Sequence, residues 1–261
     1  MKTSPSPASV TAGLLAAAIA LTVPLAADPA QASPAAVTVR PAGGPEPVWE
    51  TEAEEAAHAE VRGPAQQKCT TSTGPYQREA EKHLGLRVDG KQSPSDCEAI
   101  ADFQRRHEIE PDQGYAGLYT HRAIMWEQAL AAGSRIKGCP DTKGVVVCID
   151  KNRQILWVEN AGRVVVKPVP ARTGKPGYQT RSGWFKIYKR EKKFWSTQFD
   201  GPMPFAQFFS GGQALHGSYR PIFEDPGSHG CVNLRYDDAK ALWGKLRMND
   251  AVYVWGTRTE G

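Results

Sequence analysis

Residues 145–158 read VVVCIDKNRQILWV, and this stretch decides the fold of the second half of the chain. Two β-prone runs, Val145–Ile149 and Gln154–Val158, flank a short polar turn, as two neighbouring strands do. Further β-prone runs lie at 164–166, 184–188 and 251–255, and one helix is expected at about 236–246. Short strands at this spacing predict a mostly β domain, sandwich-like or barrel-like, which we place at residues 139–257.

Residues 68–135 show a helical period instead. Apolar side chains recur at helical spacing up to Gly85, a second helix is expected after the capping pair Ser95-Asp96, and a third spans about 120–132. Three short helices and a disulfide predict a small bundle. The whole fold is therefore predicted to be α+β and multidomain, with a helical bundle before the β domain.

The first 67 residues are expected to lie outside both domains. Residues 1–32 combine Lys2, an apolar run over 11–27 and the small-x-small site Ala30-Gln31-Ala32, which is the layout of a secretory signal peptide. An uncleaved membrane anchor is the alternative, but the run is short for spanning, so we expect cleavage after Ala32 and no stable membrane span afterwards. Residues 33–67 are rich in Pro, Ala, Gly and Glu, which predicts a flexible linker.

The overall charge excludes one class of partner. The chain has 32 Lys and Arg against 28 Asp and Glu, a formal net charge of +4. This mild basicity suits an anionic surface. The basic residues form no dense stripe, so we expect no nucleic-acid partner.

Export changes how the five cysteines are interpreted, because cysteines in an oxidising compartment usually pair. Once one is set aside, the other four allow three connectivities. The local pairing joins Cys69 to Cys97 and Cys139 to Cys148, so that each disulfide stays within one domain. It leaves Cys231 without a partner in the chain. Such a cysteine is present by accident, links two molecules, or is a reactive thiol.

The surroundings of Cys231 favour a reactive thiol. Residues 214–235 read ALHGSYRPIFEDPGSHGCVNLR and hold both histidines of the second half. A cysteine attacks as the thiolate, and its ordinary pKa is about 8.5, so an imidazole must take the proton. His229 and His216 are both candidates, and the residues alone do not choose between them. The N–H groups of Gly230 and Cys231 are candidate donors to an oxyanion.

The group that orients the base is also left open. Asn233, Glu224 and Asp225 are close in sequence, and a backbone carbonyl could serve instead. The histidines of the helical half, His83, His107 and His121, lack metal-ligand spacing and are interpreted as surface or packing residues. We expect no metal.

An aromatic segment precedes the histidines. Between Phe194 and Phe209, large apolar side chains are interleaved with Gly and Pro: Trp195, Phe199, Met203, Phe205, Phe208 and Phe209. As a group in a loop, they line a substrate site or pack in the core, and the sequence favours neither. Charged and polar groups nearby, Lys175, Tyr178, Arg181 and Arg220, either steer anionic peptides or are simply solvated.

Leu215-His216-Gly217-Ser218 followed by Ser228-His229-Gly230-Cys231-Val232-Asn233 resembles the signature of the L,D-transpeptidase (YkuD-like) family. The similarity extends from about Gly144 to Trp255. It implies that Cys231 is the nucleophile, that His216 is the base, and that the Gly217 carbonyl orients the ring.

The same resemblance implies supporting roles for the neighbouring residues. His229, Ser228 and Gly230 would support the cysteine loop, while Asn233 and Arg235 would face the substrate or brace that loop. The aromatic segment would form a flap over the donor site. Five residues are expected to face the substrate: Asn233, Arg235, Met203, Phe205 and Tyr178.

The resemblance also implies a reaction. The thiolate would attack the bond between the diamino acid of a peptidoglycan stem peptide and a terminal D-Ala, and a second stem would capture the acyl group in a 3→3 cross-link. No cofactor would be needed, and carbapenem-type β-lactams would acylate the same thiol. The enzyme would be secreted, extracytoplasmic and cell wall associated, and we expect a monomer. The alternatives are an L,D-carboxypeptidase that uses water and a non-catalytic peptidoglycan-binding protein, while a papain-like protease is disfavoured because the histidine precedes the cysteine.

The helical half has a resemblance of its own. Gln77, Leu84, Val88-Asp89-Gly90, Ala99-Ile100, Phe103-Gln104, Asp112, Gly114, Gly117 and Thr120 resemble the peptidoglycan-binding domain family in order and spacing. Residues 68–135 would then bind the wall, and the alternative is a spacer or folding partner for the catalytic domain.

Overall fold

The computed structural model describes residues 68–259 of the chain. The predicted signal peptide and linker, residues 1–67, lie outside the described residues. Within residues 68–259, no helix is long and apolar enough to cross a membrane.

Three α-helices come first: α1 (Gln77–Leu84), α2 (Pro94–Arg106) and α3 (Leu118–Ala132), with a 3₁₀ turn at Gly133–Arg135. Gly85 ends α1 in the left-handed conformation, at φ 70°, which a glycine adopts without steric cost.

The cap of α2 differs from the expectation at Ser95-Asp96. Ser93 is the N-cap, and its hydroxyl accepts the Asp96 N–H at 3.2 Å while Asp96 Oδ2 accepts the Ser93 N–H at 3.0 Å. Pro94 explains the earlier start, because its fixed φ suits the first helical position.

Among the described residues, nine strands and one further helix follow along the chain: β1 (Val145–Asp150), β2 (Ile155–Asn160), β3 (Arg163–Pro170), β4 (Gly183–Lys186), β5 (Lys189–Ser196), β6 (Gly201–Ser210), β7 (Gln213–Ser218), β8 (Val232–Arg235), α4 (Tyr236–Lys245) and β9 (Ala251–Trp255). The strands form a five-stranded sheet in the order β3-β2-β1-β9-β4 and a four-stranded sheet in the order β5-β6-β7-β8. The expectation of a mostly β second half is confirmed.

One hydrophobic core joins both sheets and α4. The contributors alternate along each strand, as one face of a sheet requires: Val147, Ile149, Leu156, Val158, Val252 and Val254 from the five-stranded sheet; Phe205, Phe209, Leu215, Val232 and Leu234 from the four-stranded sheet; Ala239 and Leu242 from α4. The other face of the four-stranded sheet is thereby left for the candidate site.

The outer face of the five-stranded sheet is covered by the end of the helical half. Trp157 and Cys148 are fully buried there, in one cluster with Ala129 of α3 and with Ile136. The disulfide Cys139–Cys148 ties the incoming chain to β1, and Cys69–Cys97 ties the first described residues to α2. Both predicted pairings are present.

The aromatic segment expected to be a loop is a β-hairpin, β5–β6. Phe205 lies within it at φ 57°, a left-handed conformation that is uncommon for a residue with a side chain. This interrupts the alternation, so Met203 packs near Cys231 while Phe205 enters the core against Tyr236 and Trp243. The expectation that Phe205 faces the substrate is wrong for this reason.

Replacing Phe205 with Ala should therefore lower the free energy of unfolding by about 3–5 kcal/mol, because a buried aromatic ring is lost from the core. Urea denaturation followed by tryptophan fluorescence measures this loss. The matched control is Phe199→Ala in the turn of the same hairpin, where the ring is 46% exposed. That variant should change the free energy by less than about 0.5 kcal/mol. Equal losses in the two variants would contradict the placement of Phe205 in the core.

Candidate active site

The parallel pairing of β7 with β8 brings the candidate residues together. Leu215 pairs with Val232, and His216 pairs with Asn233. Since Leu215 and Val232 point into the core, His216 and Asn233 point to the opposite face. Cys231 comes one residue before Val232, so the same register places it beside Ala214, on the face of the sheet that also carries His216. Cys231 packs against the hydrophobic cluster that contains Ala214.

The His216 ring is held in one tautomer. Its Nδ1 lies 2.7 Å from the carbonyl oxygen of Gly217, so the Nδ1–H donates there and Nε2 is the basic nitrogen. A backbone carbonyl, rather than a carboxylate, therefore orients this ring.

The surroundings keep His216 neutral. Burial, together with the nearby Arg172 guanidinium, lowers its pKa to about 4, against the opposing effect of the hydrogen bond to the Gly217 carbonyl. Only 8% of the His216 surface is exposed. The ring is therefore an unprotonated base at neutral pH.

Cys231 is the one free cysteine among residues 68–259. Burial raises the pKa of its thiol to about 11, and a hydrogen bond with the Ala214 backbone only partly opposes this. The resting site thus holds a neutral thiol beside a neutral imidazole.

A short network fixes the loop that leads to Cys231. The Ser228 hydroxyl donates to the Cys231 carbonyl at 2.5 Å and accepts the Gly230 N–H at 3.0 Å. The Thr180 hydroxyl donates to the Gly230 carbonyl at 2.9 Å. Ser228 therefore has a supporting place. The expected oxyanion role of the Gly230 N–H is wrong in this conformation, because the Ser228 hydroxyl already accepts that proton.

Gly230 is required at its position for two reasons. Its φ is 115°, which side-chain-bearing residues rarely adopt, and an added Cβ would lie 2.5 Å from Nε2 of Gln213. Gln213 is itself fixed, because its amide donates to the Gln179 carbonyl and accepts the Arg181 N–H. The loop therefore rests directly on this buried amide.

His229 has a different environment from His216. It is exposed, it stacks on Phe199 with ring centroids 4.5 Å apart, and it meets the edge of Tyr178 at 4.7 Å. Tyr178 is 51% exposed, and the Lys175 ammonium lies 5.2 Å from its ring centroid. The three rings form an open aromatic surface, defined here as the rim trio, two residues from Cys231.

The other expected substrate-facing residues divide into two groups. Met203 packs in the same cluster as Cys231, and Asn233 lies on the catalytic face with its Oδ1 buried and without a hydrogen-bond donor among the described residues. Arg235 lies elsewhere: its guanidinium sits 4.7 Å from the Trp126 ring centroid and 5.6 Å from that of Phe223. These contacts place Arg235 against α3 and against the chain that leads to Cys231, and its substrate-facing role stays a prediction.

Several supporting residues escaped the sequence analysis. Arg172 is 1% exposed and donates to the Pro221 carbonyl at 2.7 Å and to the Ser218 hydroxyl at 3.1 Å. Thr180 and Gln213 hold the cysteine loop from outside the signature. No motif marks such residues, because each acts through a contact between segments far apart in the chain.

Comparisons with known proteins show which family the chain resembles. The family model of the YkuD L,D-transpeptidase catalytic domain matches residues 144–254. A crystal structure of an L,D-transpeptidase from Stackebrandtia nassauensis is 37% identical over 76% of this chain and 98% of that chain, with a TM-score of 0.55. No curated protein matches the chain.

Two further solved structures are less similar. An L,D-transpeptidase fragment from Xylanimonas cellulosilytica is 26% identical over 74% of this chain and 100% of that chain, with a TM-score of 0.41. L,D-transpeptidase 3 from Mycobacterium tuberculosis, in complex with a faropenem-derived adduct, is 20% identical over 43% of this chain and 60% of that chain, with a TM-score of 0.39. Given the match of the catalytic domain and the identity to the Stackebrandtia structure, this chain belongs to the YkuD family of L,D-transpeptidases.

Proposed function

We propose that the protein is a cell-wall L,D-transpeptidase that forms 3→3 cross-links between peptidoglycan stem peptides. Its donor would be a stem that ends in a diamino acid followed by D-Ala, and its acceptor the side-chain amine of another stem. The observation that carries the proposal is the placement of the lone free thiol, Cys231, on the same sheet face as the buried neutral base His216.

In the first half-reaction, Nε2 of His216 takes the Cys231 proton as sulfur attacks the carbonyl carbon of the donor amide. The C–N bond then breaks, D-Ala leaves with the proton from His216, and a thioester remains. In the second half-reaction, the acceptor amine gives its proton to His216 and attacks the thioester. The C–S bond breaks, and the thiol is restored with that proton. No cofactor takes part.

The polar groups around the site match the charges that develop. The Gly217 carbonyl is placed to stabilise the imidazolium through Nδ1–H. The Cys231 N–H is the proposed oxyanion donor, because the Gly230 N–H is used by Ser228. The buried Asn233 Oδ1 would accept an N–H of the bound stem, since a buried acceptor is normally paired.

The rim trio and Met203 would receive the rest of the stem. Tyr178, His229 and Phe199 offer exposed ring faces beside the nucleophile, and Lys175 adds a positive charge that suits an anionic stem. Met203 would line the apolar side of the donor site.

We also propose that the protein is exported and wall associated, and that residues 68–135 bind wall polymer. The signal-like start of the chain supports export. A cavity of about 580 Å³ on the helical half, lined by Arg78, Glu79, Lys82, His83, Val88 and Gln128, offers polar groups suited to a polymer of sugars and peptides. Monomeric behaviour stays a prediction.

Mixing the full-length mature protein with a carbapenem should give a single covalent adduct on Cys231, detected by intact-protein mass spectrometry. Cys231→Ala should give none while retaining the fold. With a tetrapeptide stem as substrate, a dimer with release of D-Ala supports the transpeptidase, whereas a tripeptide alone supports the L,D-carboxypeptidase. Absence of an adduct on folded, reduced protein would favour the non-catalytic wall-binding alternative.

The two histidines should differ in their effect on acylation. His216→Asn should slow carbapenem acylation by about 10²–10⁴-fold, because the general base is lost. His229→Asn is the matched control, since it removes the exposed imidazole and leaves the buried base in place. Its acylation rate should fall by less than about tenfold. A larger loss for His229→Asn than for His216→Asn would overturn the assignment of the base.

The pH dependence of the acylation rate tests whether His216 and Cys231 are both neutral before acylation. Because burial lowers the pKa of His216 to about 4, the base stays unprotonated until the pH falls through that value. The acylation rate constant should therefore be nearly flat at neutral pH and fall only on the acid side, near pH 4. If preformed thiolate were the attacking species, the rate would instead rise tenfold per pH unit toward the thiol pKa of about 11. Stopped-flow acylation across this range separates the two.

A further inference from the structure

The segment that joins the base to the nucleophile is packed into the helical half. We define residues 219–227 as the linking segment. Its Ile222 and Phe223 are buried, 6% and 3% exposed, and they belong to the hydrophobic cluster of the helices. The other members of that cluster are Ala80, Ile100, Phe103, Ile109, Ala116, Ala123 and Ile124. The helices thus share a core with a stretch of the active-site sequence.

Arg122 of α3 makes the polar part of this contact. Its side chain is only 5% exposed. It donates to the Phe223 carbonyl at 3.0 Å, to Asp225 Oδ1 at 3.2 Å and to the Thr259 carbonyl at 2.7 Å. All three acceptors lie outside the helical half. A buried guanidinium is stable only where such acceptors surround it, so its position and theirs depend on each other.

From Asp225 the contacts continue to the nucleophile. The carboxylate of Asp225 also accepts a hydrogen bond from Arg258, a buried side chain that donates to Gln154 Oε1 at 2.7 Å. Three residues later, the Ser228 N–H donates to the Thr173 carbonyl at 3.0 Å. Ser228 in turn binds the Cys231 carbonyl through its hydroxyl. Arg122 and Cys231 are therefore connected by a short series of fixed groups.

Trp126, one turn further along α3, holds the strand on the other side of Cys231. Its ring lies under the Arg235 guanidinium at the end of β8, and its Nε1 donates to the Pro168 carbonyl of β3 at 2.9 Å. Phe223 lies 6.1 Å from the same ring, measured between centroids. Helix α3 therefore contacts the chain both before and after the nucleophile.

We propose that the helical half is a positioning component of the transpeptidase site, with Arg122 and Trp126 as positioning residues that hold the nucleophile in register with its base. This proposal rests on the proposed function and goes beyond wall binding or spacing. The linking segment has no secondary structure of its own, and its apolar side chains lie in the helical core. Loss of the anchor would let Cys231 shift relative to His216, and a misplacement of about 1 Å can cost about 10²-fold in rate.

The test compares full-length Arg122→Met with Arg105→Met. Both changes remove a paired guanidinium from the helical half, but Arg105 pairs with Asp102 and Asp112, within the helices. Carbapenem acylation of Arg122→Met should be about 10- to 100-fold slower than that of Arg105→Met, at a temperature where circular dichroism shows both variants folded. Arg122→Lys should recover part of the rate. If Arg122→Met does not fold, the acylation rates of Arg122→Lys and Trp126→Phe are compared with that of Arg105→Met instead.

A double-mutant cycle distinguishes positioning from general destabilisation. If Arg122 acts through Asp225, the double variant Arg122→Met with Asp225→Asn should lose about as much acylation rate as the worse single variant, because contacting residues are not additive. Fully additive losses, or equal rates for Arg122→Met and Arg105→Met, would overturn the proposal.

A second readout separates this proposal from the proposed function. The pH dependence of Cys231 alkylation by iodoacetamide reports the thiol environment without requiring turnover. Arg122→Met should move the midpoint of that curve away from that of the wild type, and Arg105→Met should not. If the wild type is not acylated, the transpeptidase proposal fails, yet a shifted midpoint still supports positioning. An unchanged midpoint together with an unchanged acylation rate refutes it.

Discussion

The register of two short parallel strands, β7 and β8, places His216, the proposed base, and Cys231, the proposed nucleophile, on one face of the sheet. Antiparallel neighbours can be joined by a tight turn, but parallel neighbours need a long crossover connection, usually of a dozen residues or more. The chain must leave the end of β7 and return to the start of β8. The spacing between His216 and Cys231 therefore follows from the parallel pairing, and so does the presence of a long irregular connection beside the site.

The same geometry explains the charge state of the site. The face behind β7 and β8 is the main core, His216 is buried, and Cys231 packs against the cluster that contains Met203 and Ala214 while staying partly exposed. Shielding disfavours the charged form of each group, which lowers the pKa of the imidazole and raises that of the thiol. The proposed mechanism therefore couples proton transfer to attack on a bound carbonyl. A thiol kept in this state is also protected from reaction before the donor arrives.

Local patterns were enough to predict part of this structure. The β-prone runs around residues 145–158, the two disulfides and the cysteine–histidine signature each depend on residues close in sequence, or on few alternatives. The differences have other causes. Phe205 leaves the catalytic face because its own backbone is left-handed, and the Gly230 N–H is taken by a hydroxyl two residues away. Both are local departures from regular backbone geometry, which periodicity does not encode. Thr180, Gln213 and Arg172 were missed because they act through tertiary contacts between segments far apart in the chain.

The contacts that hold the proposed active site include residues outside the cysteine–histidine motif. Long irregular connections are mobile unless other parts of the protein hold them, because their backbone has no ladder of hydrogen bonds. Here the apolar side chains of Ile222 and Phe223 enter the helical core, and the buried Arg122 donates to Phe223, Asp225 and Thr259 of the second half. Each half therefore contributes to the burial or the hydrogen bonding of side chains in the other. The boundary between the helices and the strands in the sequence therefore does not separate two parts that are stabilised independently. Residues of α3 must keep the positions that their contacts with the chain around Cys231 require.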